Sequence, residues 1–377
     1  MTSLPASYLD QFDEPVGYLE FASTGPVSRR VREALAAALE AVAAPAGRAW
    51  DAIAPRLDTA RTAAARLVGM SPDRVTTVPS TSAGLFQVAF GLLGAGGNVV
   101  LPAHEFPANV YPWLRAEAAG GPRVRKVPCP DSRVTAERLA PAVDGETRAV
   151  AVSLVDFVTG FRVDPGSLRE AFPIPLLVVD AIQGLGAVAA GLAPADVLVA
   201  GGQKWLRAGW GSGVMAVADR ALERLAPTLT GWCGVEDFLD FEAPPPHPTR
   251  PTAGRFQEGS PPYLGTLQVG AAAEVIELAG MPAIEAAVLE RAGAVEEALR
   301  CVGAEVLAPW RHPTERAGIV SFRLPGEDPK ATVARLDEAG LVVSRRSGWV
   351  RASLHATTPL GAAARLREAL TARRPAD

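Results

Sequence analysis

The fold is decided by two apolar segments, PLLVVDAIQGLG (175–186) and DVLVAGGQKW (196–205). Each contains a run of Val, Leu and Ala without polar alternation, which is typical of a strand buried on both faces. Asp180 ends the first run, and Lys204 follows the second. Because ligands bind at the carboxyl ends of strands in an open α/β sheet, these side chains form a candidate site. The alternative is an Asp–Lys salt bridge at the sheet edge.

Helical and strand patterns alternate outward from these segments. The helix predicted near 83–93 precedes the apolar strand NVVLP, and the helix near 109–119 precedes the strand VRKVPC. A helix near 165–171 precedes the Asp180 strand. This alternation predicts an α/β fold with a mostly parallel sheet. A Pro-rich stretch, APPPHPTRP (243–251), ends the pattern. The helices and strands predicted after it, from about 266 to 373, indicate a smaller α+β domain.

Composition excludes several classes of protein. The 377 residues are 48% hydrophobic and 21% charged with a net charge of −4, which disfavours nucleic-acid and anionic-membrane binding. The uncharged stretch 75–103 contains Ser, Thr, Asn and Gly clusters, so we predict a buried helix, turn and strand and no membrane span. Three separated cysteines and an N-terminus without a secretion-signal pattern predict a cytoplasmic protein.

Lysine is rare in this chain. Only Lys126, Lys204 and Lys330 are lysines, and the other 34 basic residues are arginines. A lysine amine beside a buried carboxylate suits pyridoxal phosphate (PLP), because the amine forms a Schiff base with the aldehyde. The carboxylate keeps the pyridinium nitrogen protonated, so that the ring withdraws electrons from the substrate α-carbon.

Two further motifs fit such a cofactor. STSAG (80–84) leads into a helix, where hydroxyls and backbone N–H groups bind phosphate, although a Ser or Thr there is usually only a helix cap. HEFPANVYPW (104–113) places Phe106 after a strand, where it either stacks on a flat ring or packs in the core. The HE pair at 104–105 lacks the second histidine of HExxH, so we predict no metal site.

Together these stretches resemble the class V aminotransferase superfamily of PLP enzymes, which includes cysteine desulfurases, selenocysteine lyases, kynureninases and isopenicillin N epimerase-like proteins. The resemblance implies a type I PLP-enzyme fold, with a seven-stranded-type sheet in the large domain. It implies three parts of the chain: an N-terminal arm (1–25) joining the small domain, a large PLP-binding domain (26–262) and a small C-terminal domain (263–377). The matching stretches occur in the family's order: GYLEFASTGPVS (17–28), STSAG (80–84), HEFPANVYPW (104–113), VVDAIQGLG (178–186), GGQKW (201–205), GRFQEGSPPYLGT (254–266) and VRASLHATTP (350–359).

The resemblance implies a role for each matched residue around the cofactor ring. Lys204 would form the Schiff base and shuttle protons, and Asp180 would bind the ring nitrogen. Gln183 would bond the phenolic oxygen of the cofactor, and Phe106 would stack on the ring. Arg351 would bind the substrate α-carboxylate, because a planar guanidinium suits that group.

The resemblance also implies a phosphate site and a dimer. Thr81, Ser82 and Gln203 would hold the phosphate. Gly259 and Ser260 would reach it from the neighbouring subunit, which implies a homodimer with shared active sites.

Three residues near Arg351, the arginine that would bind the substrate α-carboxylate, each have two interpretations. His355 lies four residues after Arg351, where it either faces the substrate or packs in the core. Arg345 and Arg346 either bind a second anionic group of the substrate or form a solvated charge pair.

Departures from the desulfurase pattern direct the functional hypothesis. Desulfurases of the family have a serine where this chain has Gly201 and a histidine where it has Gln203. They also have a nucleophilic cysteine shortly before the arginine that corresponds to Arg351. Here VVSRRSGWVR (342–351) contains no cysteine, so we interpret all three cysteines as structural or incidental. We therefore expect a PLP-dependent carbon–sulfur β-lyase acting on an S-substituted cysteine. The alternatives are an epimerase-like racemase or aminotransferase, a decarboxylating or oxidatively deaminating enzyme of specialised metabolism, or a non-catalytic protein that kept the fold.

Overall fold

The computed structural model describes residues 4–173, 175–189 and 194–372. The helices are α1 (Ala6–Leu9), α2 (Arg29–Val42), α3 (Ala46–Val68), α4 (Thr81–Phe90), α5 (Tyr111–Ala118), α6 (Ala136–Leu139), α7 (Pro165–Ala171), α8 (Asp219–Arg224), α9 (Tyr263–Ala279), α10 (Met281–Cys301), α11 (Pro329–Glu338) and α12 (Ala362–Thr371). The strands are β1 (Val75–Thr77), β2 (Asn98–Pro102), β3 (Arg123–Val127), β4 (Thr147–Ser153), β5 (Leu176–Asp180), β6 (Val197–Gly201), β7 (Gly213–Val217), β8 (Glu305–Leu307), β9 (Ile319–Arg323), β10 (Ser344–Arg346) and β11 (Trp349–Ser353).

A seven-stranded sheet lies at the centre of the larger part, in the order β1-β7-β6-β5-β4-β2-β3. Strands β2 to β6 pair in parallel. Strand β7 pairs antiparallel with both β6 and β1. The predicted α/β fold with a mostly parallel sheet is therefore confirmed.

The strands are apolar without alternation because both faces of the sheet are covered. In β5, Leu177 and Val179 pack into one core cluster, whereas Leu176 and Val178 pack into a second cluster. Successive side chains of a strand point to opposite faces, so each cluster takes every second residue. The same division occurs in β4 and β6.

Strand β7 escaped the sequence analysis. It begins at the last residue of GWGSG (209–213), a glycine-rich segment that carries no strand pattern. The strand Gly213–Val217 is fully buried and pairs antiparallel with β6. The chain therefore reverses its direction across the connection that carries Lys204.

A second, antiparallel sheet of order β10-β11-β9-β8 packs against the second half of α10 and against α11 and α12. The N-terminal segment joins it through parallel bridges from Tyr18 to Val342 and from Glu20 to Ser353. Helix α9, in contrast, packs on α2 and α3 of the larger part. The predicted domain boundaries stay a prediction, and the packing of α9 favours a later start for the small domain.

Local signals predicted several elements well. The Ser28 side chain accepts a hydrogen bond from Val31 N, 3.2 Å away, and so caps the N-terminus of α2. The uncharged stretch 75–103 forms β1, α4 and β2 with the connections between them. None of the helices in the described part of the chain combines the length and apolar character needed to cross a membrane.

Candidate active site

Asp180 and Lys204 lie at the same edge of the large sheet. Asp180 is the last residue of β5, and Lys204 follows the end of the neighbouring parallel strand β6 by three residues. Both side chains are buried, with exposed fractions of 2% and 9%. The other two lysines, Lys126 and Lys330, are exposed. Lys204 therefore lies in an environment that is unusual for a lysine.

The Asp180 carboxylate is only half satisfied. Its Oδ1 accepts a hydrogen bond from Ile182 N at 3.0 Å, whereas its buried Oδ2 has no hydrogen-bond partner. Burial raises the pKa of Asp180 to about 6, and the charge of Lys204 opposes this rise. An unpartnered buried oxygen costs free energy unless a ligand supplies a donor.

Lys204 is buried without a close counterion. Burial lowers its pKa to about 8; Asp180 opposes that shift, and Arg351 and Arg346 add to it. Within the described residues no ion pair shorter than 4 Å joins Lys204 to Asp180. The simple salt-bridge interpretation is therefore disfavoured, and a neutral amine is accessible near neutral pH.

Phe106 lies over the lysine. The Nζ of Lys204 is 5.4 Å from the Phe106 ring centroid, and 39% of the Phe106 side chain is exposed. The ring of Phe157 meets Phe106 edge-on at 5.2 Å between centroids. The Phe106 ring is thus partly exposed at the position where the resemblance implies stacking on a flat ring.

Glu105 is a site residue that the sequence analysis missed. Its carboxylate accepts hydrogen bonds from both the backbone N and the Oγ of Ser153, which lies opposite Asp180 in the pairing of β4 and β5. Burial raises the pKa of Glu105 to about 7, and the nearby Asp180 carboxylate contributes to the rise. These bonds hold the Phe106 loop against the end of β4. The only available signal was an acid directly after a buried strand.

The first turn of α4 meets the end of β6. The Ser80 side chain accepts from Ala83 N at 3.2 Å, so this residue is an ordinary helix cap. Thr81 Oγ1 instead accepts from Gly201 N at 2.8 Å, and Ser82 lies half-buried beside it. Positive partial charge at a helix N-terminus attracts phosphate.

Gly201 and Gln203 form a matched pair at this helix end. A Cβ at position 201 would lie 2.5 Å from Gln203 Oε1 and 3.1 Å from Thr81 Oγ1. The glycine therefore makes room for the glutamine side chain, which accounts physically for two joint departures from the desulfurase pattern. The side chains of Thr81 and Gln203 converge here, as expected for a phosphate site.

Gln183 is held by the protein itself. Its amide nitrogen donates to Ala22 O at 3.0 Å, and its oxygen accepts from the Trp205 indole at 2.8 Å. One amide hydrogen remains for a ligand. The predicted bond to the phenolic oxygen stays a prediction.

Arg351 lies in β11, buried, and all its bonds go to neutral oxygens. It donates to Phe157 O at 2.7 Å, Ser23 Oγ at 2.9 Å and Ser344 Oγ at 3.3 Å. Burial lowers its pKa to about 10, and Arg346 adds to the shift. An arginine without a carboxylate partner beside Lys204 is suited to bind a substrate carboxylate.

His355 lies in a different cluster from the lysine. Its ring stacks on Phe21 at 5.1 Å between centroids, and its Nδ1 lies 2.9 Å from Thr357 Oγ1. It is 1% exposed, and burial followed by the charge of Arg207 holds its pKa well below the usual range. The structure favours the packing interpretation of His355 over substrate binding.

Gly259 and Ser260 lie in the loop before α9. A Cβ on Gly259 would lie 3.7 Å from Trp232 Nε1, the nearest atom on that side, and Ser260 is exposed. Their predicted role depends on a second subunit, and it stays a prediction.

The residues present fit PLP. The orphaned Asp180 Oδ2 can accept from a pyridinium N–H, the amine of Lys204 lies near the open face of Phe106, and the first turn of α4 offers phosphate donors. The ring nitrogen, the aldehyde and the phosphate of the cofactor would therefore each meet a protein group of matching chemistry.

Comparison with known proteins identifies the family. The model of the aminotransferase class-V family matches residues 17–368, so the chain belongs to this family of PLP enzymes. A probable cysteine desulfurase of Aeropyrum pernix is 29% identical over 311 residues, which cover 77% of this chain and 72% of that protein. The isopenicillin N epimerase of Streptomyces clavuligerus is 30% identical over 219 residues, covering 55% of this chain and 52% of the epimerase.

A solved structure agrees with this assignment at the level of the fold. A mutant of C-DES, a cystine C–S lyase, carries glycine covalently linked to its PLP cofactor. It superposes on 94% of this chain and 96% of its own, with a TM-score of 0.86 and 20% sequence identity. The predicted family, fold class and cofactor are therefore confirmed, whereas the reaction is not resolved among lyase, transferase and epimerase.

Proposed function

We propose that this chain is a PLP-dependent carbon–sulfur β-lyase that acts on S-substituted cysteines. The observation that carries the proposal is a desulfurase-like site that holds a buried lysine base and a carboxylate-binding arginine but has no thiol beside them. Cys129 lies near Arg138, Asp131 and Glu105 and lines a cavity with Glu105 and Ser153, and Cys233 lies near Arg250. Cys301 is exposed at the end of α10.

Burial also affects the protonation of two of the cysteine thiols. It raises the pKa of both Cys129 and Cys233, so these thiols stay protonated near neutral pH. A protonated thiol is a poor nucleophile. The two buried cysteines are therefore poorly suited to accept sulfur, whereas elimination of a thiol that already belongs to the substrate needs no enzyme cysteine.

PLP, when bound, withdraws the electrons released at the substrate α-carbon. Lys204 removes the α-proton, and it suits this task because burial holds its pKa near 8, so that a neutral fraction is present at neutral pH. Arg351 orients the substrate through its α-carboxylate. Phe106, whose ring centroid is 5.4 Å from Lys204 Nζ, would cover one face of the bound cofactor ring.

The overall reaction balances without a further co-reactant. The bond between the β-carbon and sulfur breaks, and the electron pair leaves with the sulfur, which takes up a proton. RS–CH₂–CH(NH₃⁺)–COO⁻ and water give RSH, pyruvate and ammonium. Lys204 accepts the α-proton and returns it at a later step, so that the amine is regenerated.

Epimerisation is the second candidate because of the similarity to isopenicillin N epimerase over 219 residues. It begins with the same proton removal by Lys204. It differs in the fate of the β-substituent, which stays on the substrate.

The two reactions are separated by product analysis of the holoenzyme with S-methyl- and S-carboxymethyl-L-cysteine in D₂O. We expect equal amounts of pyruvate and thiol. α-Deuterium incorporation without pyruvate would contradict the lyase and support the epimerase, and formation of pyridoxamine phosphate would indicate transamination. Lys204→Ala should abolish product, whereas Lys330→Ala is the matched control, because that lysine is exposed.

The proposal includes a homodimer with shared sites, formed through Gly259 and Ser260. Large apolar side chains are exposed in the loops that precede this segment: 71% of Trp210, 48% of Trp232 and 78% of Phe241. Exposed apolar groups of this kind are typical of interfaces. A monomer in analytical ultracentrifugation of the holoenzyme would contradict this part of the proposal.

A further inference from the structure

The register of a hairpin places two arginines on one face beside the site. In the antiparallel pair of β10 and β11, Ser344 lies opposite Arg351. Directly opposed residues share a face, and so do alternate residues of one strand, so Arg346 joins Ser344 and Arg351 on the same face. Arg345, between them, points to the other face and is exposed.

The two guanidinium groups meet at one oxygen. Arg351 Nη2 donates to Ser23 Oγ at 2.9 Å, and Arg346 Nη2 donates to the same atom at 3.2 Å. The remaining hydrogen bond of Arg346 goes to the carbonyl oxygen of Arg345 at 2.8 Å. All these acceptors are neutral.

Neither guanidinium has a carboxylate partner. Across residues 4–173, 175–189 and 194–372, no ion pair shorter than 4 Å includes Arg346 or Arg351. Glu20 and Asp156 attract Arg351 only from farther away. The Asp156 carboxylate is occupied by the backbone N–H groups of Val158 and Thr159, which shape the loop that presents Phe157 O.

Both guanidinium groups meet at Ser23 Oγ and lie close enough to Lys204 for their charges to lower the pKa of its amine. Three cationic groups therefore lie near one another. The carboxylates that act on them, Asp180 on Lys204 and both Glu20 and Asp156 on Arg351, form no ion pair shorter than 4 Å with them within the described residues. The α-carboxylate of an amino acid would neutralise Arg351 alone. Like charges held together without a counterion repel each other, so a second anion bound at Arg346 would lower the free energy of the site.

We propose that Arg346 binds a second acidic group on the substrate, so that the preferred substrates are amino acids whose side chain ends in a carboxylate. This inference rests on the proposed function for the role of Arg351, and for a β-lyase it means S-carboxyalkyl cysteines. Ser23 holds the two guanidinium groups side by side, so that each can take one carboxylate of the same molecule. Neutral S-alkyl cysteines lack the second group and bind more weakly.

The test measures binding without any chemistry. Succinate, glutarate and butyrate are titrated into the holoenzyme in a calorimeter; none has an amino group that could react with the cofactor. We expect the dicarboxylates to bind at least about 10-fold more tightly than butyrate, as is typical of one added charge-assisted contact. Equal dissociation constants for all three in the unmodified protein would overturn the inference, and this comparison needs no variant that must fold.

Variants locate the second contact. Arg346→Gln should weaken dicarboxylate binding roughly 10-fold and leave butyrate unchanged. Arg345→Gln is the matched control, since it removes an arginine from the same strand on the exposed face, and it should change neither. If Arg346→Gln weakened both ligands equally, or Arg345→Gln had the larger effect, the assignment to Arg346 would be wrong.

This experiment separates the inference from the proposed reaction. A protein that discriminates dicarboxylates through Arg346 but releases no pyruvate from S-carboxymethylcysteine keeps the acidic-substrate inference and loses the lyase. A protein that releases pyruvate from neutral and acidic conjugates alike, without dicarboxylate discrimination, keeps the lyase and loses the inference.

Discussion

Lys204 and Arg207 lie three residues apart in the turn after β6, and both are buried cations, yet their surroundings are opposite. Arg207 donates to Glu14 Oε1 and to Pro26 O, each at 2.6 Å, and its guanidinium lies 3.8 Å from the centroid of Phe12. In the described part of the chain, no carboxylate lies within ion-pair distance of Lys204. The protein supplies the partners of one cation and leaves the other for a ligand.

The comparison extends to the backbone of the turn. Arg207 has a φ of 56°, a left-handed conformation that non-glycine residues rarely adopt. Its N–H bonds back to Lys204 O at 3.0 Å, so the contacts of the Arg207 side chain also fix the turn that carries the lysine. Gly25 allows the N-terminal segment to approach the same turn, because a Cβ there would lie 2.1 Å from Lys204 O.

Burial alone therefore does not mark a functional residue. Arg207 is the more deeply buried cation, and it serves structure. An unpartnered atom alone does not mark one either, since Arg207 Nη2 is buried without a hydrogen-bond partner, as is Asp180 Oδ2. The difference is the carboxylate: Arg207 has Glu14, whereas within the described residues Lys204 and Arg351 form no ion pair shorter than 4 Å. Such groups cost stability in the free protein and are retained where a ligand compensates.

Replacing the lysine gives the largest expected effect. Lys204→Ala should lower product formation by at least roughly 10⁴-fold, because it removes both the cofactor link and the base. It should not lower the free energy of unfolding of the cofactor-free protein, because burial already disfavours the lysine charge. The measurements are the pyruvate assay and urea unfolding. If Lys204→Ala lowered the free energy of unfolding by about 3–5 kcal/mol, as expected for Arg207→Met, the two cations would not differ in their structural role.

Replacing Arg207 should have the reverse pattern. Arg207→Met leaves Glu14 buried without its partner, so the free energy of unfolding should fall by about 3–5 kcal/mol. The two side chains are 2% and 10% exposed, so solvent screens this pair little. Adding Glu14→Gln should recover part of the loss, which urea unfolding of the single and double variants measures. A fully stable Arg207→Met protein without activity would instead place Arg207 in the catalytic machinery.

The pH dependence of cofactor binding gives the smallest effect. A neutral amine attacks the aldehyde, so the rate of Schiff-base formation by cofactor-free protein should rise with pH around a midpoint near 8. The negative charge of Asp180 raises the pKa of Lys204, so Asp180→Asn should move the midpoint downward by about one unit. Stopped-flow absorbance at several pH values measures the rate of Schiff-base formation and hence the midpoint for each protein. An upward shift would show that Asp180 does not act on Lys204 as a counter-charge.

The site residues at the ends of β5 and β6 could be predicted from the sequence alone. Asp180 and Lys204 follow continuous apolar runs, and parallel strands bring their carboxyl ends to one edge of the sheet. Glu105 was not within reach, since its role depends on Ser153, which lies 48 residues away in another strand. Gln183 was recognised as part of the motif, but its bonds to Ala22 and Trp205 come from tertiary contacts.

The arginine pair shows the same limit. Arg345 and Arg346 are equivalent in the sequence, and only the pairing of Ser344 with Arg351 decides which of them faces the site. His355 likewise follows Arg351 closely in the chain but packs with Phe21, because the chain leaves β11 and enters another cluster.

The sequence by itself determined the α/β fold, the family, the cofactor and the residues at the ends of β5 and β6, because these depend on local apolar runs and on motifs in a set order. The tertiary structure alone decided which buried charges have partners. Those partners come from the N-terminal segment, the loop after β4 and the second sheet, which are distant in the chain. Charge compensation is a property of positions in space, and no local pattern of residues encodes it.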